Sequence, residues 1–275
     1  MVKSFVGHSK NIYRIKQSPY NCSFFATCSD DLTVKIWDFD FNLFRTFTGH
    51  SGYVPSLEWI SSDLIASGSG DNTAKVWSIS TGIIQLTIST GSYTVCSLKL
   101  LSNGFYLALG LETGKIPIYN INTGSLINTL TGHTNRVYDF VLINDDILVS
   151  SCFDFSIRIW NLTTYTQDYI LNGHTNKVES LKQISSDLIA SGSDDTTIKM
   201  WNTTSGSLIR TLSNHTNIID WSLDLWIIGD LTRLLSGSQD KTIKIWDWST
   251  GECLQTINTG LVVKALMVLN SLTSI

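Results

Sequence analysis

The chain has 275 residues, 43% hydrophobic and 15% charged, with a formal net charge of −4 and an isoelectric point near 5.7. That balance argues against a phosphate-backbone binder, whose affinity comes from clustered Lys and Arg. Three prolines and nineteen glycines in a chain rich in Ser, Thr, Asn and Ile point to β-strands and polar turns rather than helix or disorder.

The N-terminus, MVKSFVGHSK, has no apolar run behind its positive charge and so shows no signal-peptide pattern. Lys3 to Val6 aligns with Arg45 to Thr48 and is expected to form an outer strand. Gly-His pairs then end at His8, His50, His133 and His174, with an Asn-His at His215, and each leads to a Trp on a short strand: Trp37, Trp77, Trp160, Trp201 and Trp246. The period is about 41 residues, and ISSDLIASGS, at Ile60 to Ser69 and again at Ile184 to Ser193, marks the duplication.

Within a unit, VESLKQI, DLIASGS, TTIKMW and SLIRTLS alternate and are cut by turn residues, which predicts four short strands. No such unit can bury its own apolar face, so neighbours must stack. In each good repeat an Asp lies six residues before the Trp and a Ser or Thr four before that Asp. The unit from Thr90 to Asn120 breaks the rule, with Gly91, Leu109, Thr113 and Tyr119 at the four positions, and Pro117 removes a ladder donor from its third strand. Near the end, Glu252 to Ile257 is expected as an outer strand and Val262 to Leu269 as a further innermost strand. The apolar stretch from Leu261 to Leu269 is too short to span a bilayer and contains Lys264.

Five cysteines (Cys22, Cys28, Cys96, Cys152, Cys253) without CxxC spacing indicate neither a disulfide framework nor a zinc site and suit the cytoplasm, with the nucleus as the alternative. The sequons at Asn21, Asn161, Asn202 and Asn214 are read as chance in an Asn-, Ser- and Thr-rich chain.

The Gly-His to Trp-Asp spacing, with Trp37-Asp38 and Trp246-Asp247, resembles the WD-repeat family over nearly the whole chain. The resemblance implies an all-β propeller forming a single domain, with repeats at about 1–38, 39–78, 79–120, 121–161, 162–202 and 203–247 and a partial unit at 248–275. Because the chain starts on an outer strand and runs past the sixth unit, the expected design has seven blades with the last incomplete, as in a fragment or an incomplete gene model. A six-bladed closed ring is the alternative.

In that family the repeated His, Ser or Thr, Asp and Trp form a hydrogen-bonded network. Here the sets are His8, Thr27, Asp31, Trp37; His50, Ser67, Asp71, Trp77; His133, Ser150, Asp154, Trp160; His174, Ser191, Asp195, Trp201; and His215, Ser236, Asp240, Trp246. Ser, His and Asp also evoke a hydrolase triad, but a triad is defined by geometry, and all five histidines of the chain stand at the repeat position, leaving none as a general base or metal ligand. Neither a DxDxDG calcium loop nor a phosphate cradle is present in the sequence, since ASGSGDN lies between strands. No catalytic residue, cofactor or metal is expected.

The resemblance therefore implies a protein-interaction scaffold or peptide reader, with other proteins or peptides as partners and no nucleic acid, membrane or metal. A substrate-recognition propeller of a larger ubiquitin-ligase or signalling protein is the alternative, ahead of a propeller enzyme. The family's contact positions lie beside the apolar anchors Ile12, Val54, Val137 and Val178 and just before the network Asp. They correspond here to Asn11, Tyr13, Asp30, Tyr53, Pro55, Arg136, Tyr138, Phe153, Lys177, Glu179, Asp194 and Gln239. Tyr13, Tyr53, Arg136, Tyr138 and Phe153 are the types that dominate binding energy, while Asp30, Glu179 and Asp194 would select a basic or polar ligand. Repeat six aligns ambiguously around Ile218 and Asp220.

Overall fold

The computed structural model describes residues 7–102, 104–220, 222–228 and 231–268. The chain divides into two compact units, residues 1–131 and 132–275. In the first unit, one sheet consists of β1 (Ile12–Gln17), β2 (Phe24–Ser29), β3 (Val34–Asp38) and β4 (Leu43–Phe47). The second consists of β5 (Ser56–Trp59), β6 (Leu64–Gly68), β7 (Thr73–Ser78) and β8 (Ile84–Ser89), and the third of β9 (Val95–Leu100), β10 (Tyr106–Leu111), β11 (Ile116–Asn120) and β12 (Leu126–Leu130).

The second unit begins with the sheet β13 (Val137–Asn144), β14 (Ile147–Cys152), β15 (Ile157–Asn161) and β16 (Thr166–Leu171). Next come β17 (Val178–Gln183), β18 (Leu188–Ser193), β19 (Thr197–Asn202) and β20 (Leu208–Ser213), then β21 (Leu223–Ile228), β22 (Leu231–Gly237), β23 (Thr242–Asp247) and β24 (Glu252–Asn258). Every sheet is an antiparallel meander in chain order.

Burial follows from stacking. Second strands such as β18 are buried at every position because neighbouring sheets cover both faces, whereas outer strands such as β8 and β20 bury one residue and expose most of the rest. In the first unit Ala26, Ile36 and Phe47 meet Val54, Leu57, Ile65 and Trp77 of the next sheet. In the second unit Val149, Ile159 and Leu171 meet Val178, Leu181, Ile189 and Trp201. The glycine of the duplicated ASGS segment serves this stacking. A Cβ at Gly68 would lie 2.5 Å from Val95 Cγ1, and one at Gly192 would lie 2.8 Å from Ile219 Cγ2, so only glycine lets the next sheet's anchor sit against the strand.

Among the described residues, six four-stranded sheets stand where a seven-blade design was expected. Val262 to Leu269, read as a seventh innermost strand, forms no strand over its described residues. Its Val263 amide donates to Ser238 O at 3.2 Å, Ala265 makes an isolated β-bridge, and the Val268 amide donates to the Asp224 side chain at 2.6 Å, so the segment is held by isolated contacts instead of a continuous ladder. Lys3 to Val6 lies outside the described residues.

Pro117 has the expected effect on the third sheet. The β10–β11 ladder holds only three residue pairs, Tyr106↔Asn120 to Ala108↔Ile118, against five between β6 and β7, because the missing N–H ends the pairing at Ile118. A second difference concerns Ile12, which is 37% exposed while Val54, Val137 and Val178 are fully buried.

Candidate functional site

The structure brings each set of four side chains together. His174 Nε2 lies 2.7 Å from Ser191 Oγ, and the Trp201 indole N–H donates to the same Oγ at 2.8 Å. His174 Nδ1 lies 2.7 Å from Asp195 Oδ2. A carboxylate only accepts, so Nδ1 carries the proton, Nε2 accepts from the hydroxyl, and the hydroxyl accepts from the indole. The sets at His8, His50, His133 and His215 repeat this order, with Trp Nε1 to hydroxyl at 2.8 Å in every one.

The network is larger than four. A hydroxyl two residues after each Asp (Thr33, Thr73, Ser156, Thr197, Thr242) donates to its Oδ1 at 2.6–2.7 Å. Two residues before the Asp, Ser29, Ser69, Cys152, Ser193 or Ser238 accepts from the Asp amide. The repeated pattern S-x-D-x-T, with Cys152 and Ser156 as variants, was the sequence signal for both. The residue after the Asp is left-handed in every case: Leu32, Asn72, Phe155, Thr196 and Lys241, at φ 66–71°.

Burial depresses the imidazole pKa of all five histidines, outweighing the bond and charge of the partner aspartate. Burial alone would raise the carboxyl of Asp31. The bonds from Thr33, His8 and the Ser9 amide outweigh it and bring the pKa to about 2. Each network thus holds a neutral imidazole beside a carboxylate.

In the third sheet the network is gone. Leu109 is buried, and the Thr113 hydroxyl is buried without a hydrogen-bond partner, since a glycine stands where the other repeats place the imidazole. Lys115 replaces the Asp-bonding hydroxyl, and Gly114 takes the left-handed position at φ 85°.

A backbone bond gathers the expected contact positions at one end of each sheet. The residue before the network Asp donates to the residue before the anchor: Asp30 to Asn11, Gly70 to Tyr53, Phe153 to Arg136, Asp194 to Lys177 and Gln239 to Ile218, at 2.8–3.1 Å. This bond also resolves repeat six, whose anchor is the fully buried Ile219.

In the first unit, Tyr13 O–H donates to Asp30 Oδ1 at 2.6 Å, Asn11 donates to Asp30 Oδ2 at 3.1 Å, and the rings of Tyr13 and Tyr53 lie 5.9 Å apart. In the second unit, Phe153 is 41% exposed and lies 6.3 Å from the Tyr138 ring, over which the Lys177 ammonium sits at 5.6 Å. Three positions expected on the surface are buried: Pro55, Tyr138 at 6% and Glu179 at 3% exposure. Tyr138 is covered by the Lys177 ammonium, and Glu179 bonds the same ammonium, so both reach a partner only through the group around Lys177.

Glu179, Asp194 and Asp220 each place a carboxylate oxygen within 4.8 Å of the others. Lys177 bonds Glu179 and approaches Asp194 at 3.3 Å, Gln239 donates to Asp220 at 3.0 Å, and one buried oxygen of Asp194 has no hydrogen-bond partner. Burial, helped by Asp220 and Asp194 and opposed by Lys177, pushes Glu179 up to about 8. Asp220 was the member sequence spacing left unassigned. His133, Cys152 and Asp154 also cluster, but both nitrogens of His133 are engaged within the network and burial pushes the Cys152 thiol up.

Four-stranded meanders that stack within each unit, five of the six described carrying a His–Ser/Thr–Asp–Trp network, define an all-β propeller class with six blades among the described residues. The family model described as "WD domain, G-beta repeat" matches residues 1–38, 41–78, 124–161, 165–202 and 206–247, passing over the third sheet. The chain belongs to the WD-repeat family. It is 30% identical over 143 residues to nuclear distribution protein PAC1 of Candida albicans, covering 49% of this chain and 29% of that protein. It is 34% identical over 108 residues to COMPASS component SWD3 of Saccharomyces cerevisiae, covering 38% and 34%. Ubiquitin homeostasis protein lub1 of Schizosaccharomyces pombe is 29% identical over 150 residues, covering 54% and 20%. The chain thus spans about a third or less of the length of these relatives.

Proposed function

We propose that the chain is a protein-interaction platform without catalytic activity, in the cytoplasm or nucleus, and that the second unit captures partners through a basic peptide side chain. The carrying observation is the charge of the loop end in that unit. Three carboxyl groups converge there with Lys177 as their bonded cation, and one Asp194 oxygen is left without a hydrogen bond. An arginine would supply the missing donors, and exposed Phe153 beside it offers area with little rotamer entropy to lose. SWD3 is named as a component of an assembly, which agrees with this class of function. The five histidines sit in structural networks, which supports the non-catalytic reading. The Tyr13–Tyr53 pair with Asp30 is a second contact group, in the first unit.

The test is a titration of the whole chain with arginine-containing and glutamate-containing versions of one peptide. Arginine peptides bind, and Asp220→Asn or Phe153→Ala weakens them about tenfold without moving the Tm. Equal binding of both peptides, or undiminished binding by both variants, refutes the assignment.

A further inference from the structure

We propose that the third sheet carries a separate docking site, a cleft opened by the loss of its polar network, which takes one large apolar side chain of a partner peptide flanked by acidic residues. The cleft has a volume of about 170 Å³ and is lined by Thr90, Tyr93, Lys115, Pro117, Tyr119 and Leu126, among others. A void of that size is enough for a ring the size of benzene.

Its position follows from what the other sheets put there. Gly91 stands at the imidazole position, and a Cβ built on it meets no atom within 4 Å. Tyr119 replaces the network Trp. Pro117 replaces the lysine that, as Lys75 or Lys199, reaches Thr87 or Thr211 on the outer strand. Three side chains that fill the space elsewhere are therefore absent or smaller, while Tyr93 and Leu126 remain exposed as apolar walls.

Charge sets the flanking residues. Lys115 is exposed at the rim where other repeats carry a hydroxyl bonded to Asp, and among the described residues neither its ammonium nor the Tyr119 hydroxyl has a hydrogen-bond or ion-pair partner. An ammonium and a phenol O–H beside an apolar slot suit a carboxylate next to a buried side chain. The apolar side chain supplies the affinity, and the exposed cation supplies the preference between flanking charges.

The test uses the whole chain, isotope-labelled, titrated with acetyl-Glu-Phe-Glu-amide and followed by amide NMR shifts. Saturable shifts are expected at Thr90, Lys115 and Tyr119, with several-fold weaker response to acetyl-Lys-Phe-Lys-amide. Lys115→Glu, at an exposed position that keeps the fold, reverses that preference, and Tyr119→Trp, which refills the cleft, removes the shifts while the melting temperature holds or rises. Absence of saturable shifts at these amides, equal response to both peptides, or shifts confined to the Phe153 region overturns the proposal. The last outcome would leave the basic-peptide site of the second unit standing.

Discussion

Thr196 and Gly114 occupy the same position of the same turn, and both backbones are left-handed, at φ 70° and 85°. A β-branched residue is strained there. The Asp195 carboxylate holds Thr196 in place by accepting from the Thr197 amide at 3.0 Å and from its hydroxyl at 2.7 Å. Thr113 has no carboxylate to do this, and its repeat uses glycine. Thr196→Gly should therefore stabilise the chain by up to about 1 kcal/mol and Gly114→Thr destabilise it by about as much, read as opposite shifts of the denaturant midpoint.

The networks should differ sharply in their cost of removal. His174→Ala or Asp195→Ala leaves buried donors or acceptors unmet and should cost about 1–3 kcal/mol each. Thr113→Ala removes a hydroxyl that already lacks a partner and should be neutral or slightly stabilising. Equal losses at Asp195 and Thr113 in urea titrations would contradict the structural role of the network.

Acid should unfold the chain in two stages. The histidines have folded pKa values below the ordinary 6.5, so their contribution is complete above that pH and is lost as the pH falls below it. Asp31 and Asp240, lowered from 3.8 to about 2, add a second loss between those values. In the Glu179→Gln variant, which removes the opposing trend of that raised carboxyl, stability from chemical denaturation should be level near pH 7–8 and decline from about pH 6.5 downward. Unchanged stability of that variant from pH 7 to 5 would show that the imidazoles are not held neutral.

Cys152 occupies the position that Ser29, Ser69, Ser193 and Ser238 fill in other repeats, accepting from the Asp154 amide and donating to Asn135 O at 3.0 Å. Cys152→Ser should therefore be tolerated within about 0.5 kcal/mol, whereas Cys152→Val, which makes neither bond, should cost about 1–3 kcal/mol. Thermal melts of the two variants distinguish them.

Binding of an arginine peptide to the second unit should tighten as the pH rises through about 8, because Glu179 must lose its proton to meet an added cation beside Lys177, Asp194 and Asp220. Glu179→Gln should flatten that dependence. A pH-independent affinity between 7 and 9 would remove Glu179 from the site.

The repeat, its four strands and the residues of each network were readable in the chain, because each depends on short-range chemistry copied at a fixed period. Indole, hydroxyl, imidazole and carboxylate recur in the order in which they bond, and the strand alternation recurs with them. The same logic exposed the third repeat, where Pro117 shortens a ladder as its missing N–H requires. Tertiary structure decided what depends on a neighbouring sheet. Tyr138 and Glu179 have the composition of contact residues but are buried, and Asp220 joins Glu179 and Asp194 only because the fifth and sixth sheets stack. Val262 to Leu269 alternates like a strand, yet a strand exists only where a second backbone completes its ladder, and over its described residues this segment makes a single bridge at Ala265 and isolated bonds at Val263 and Val268.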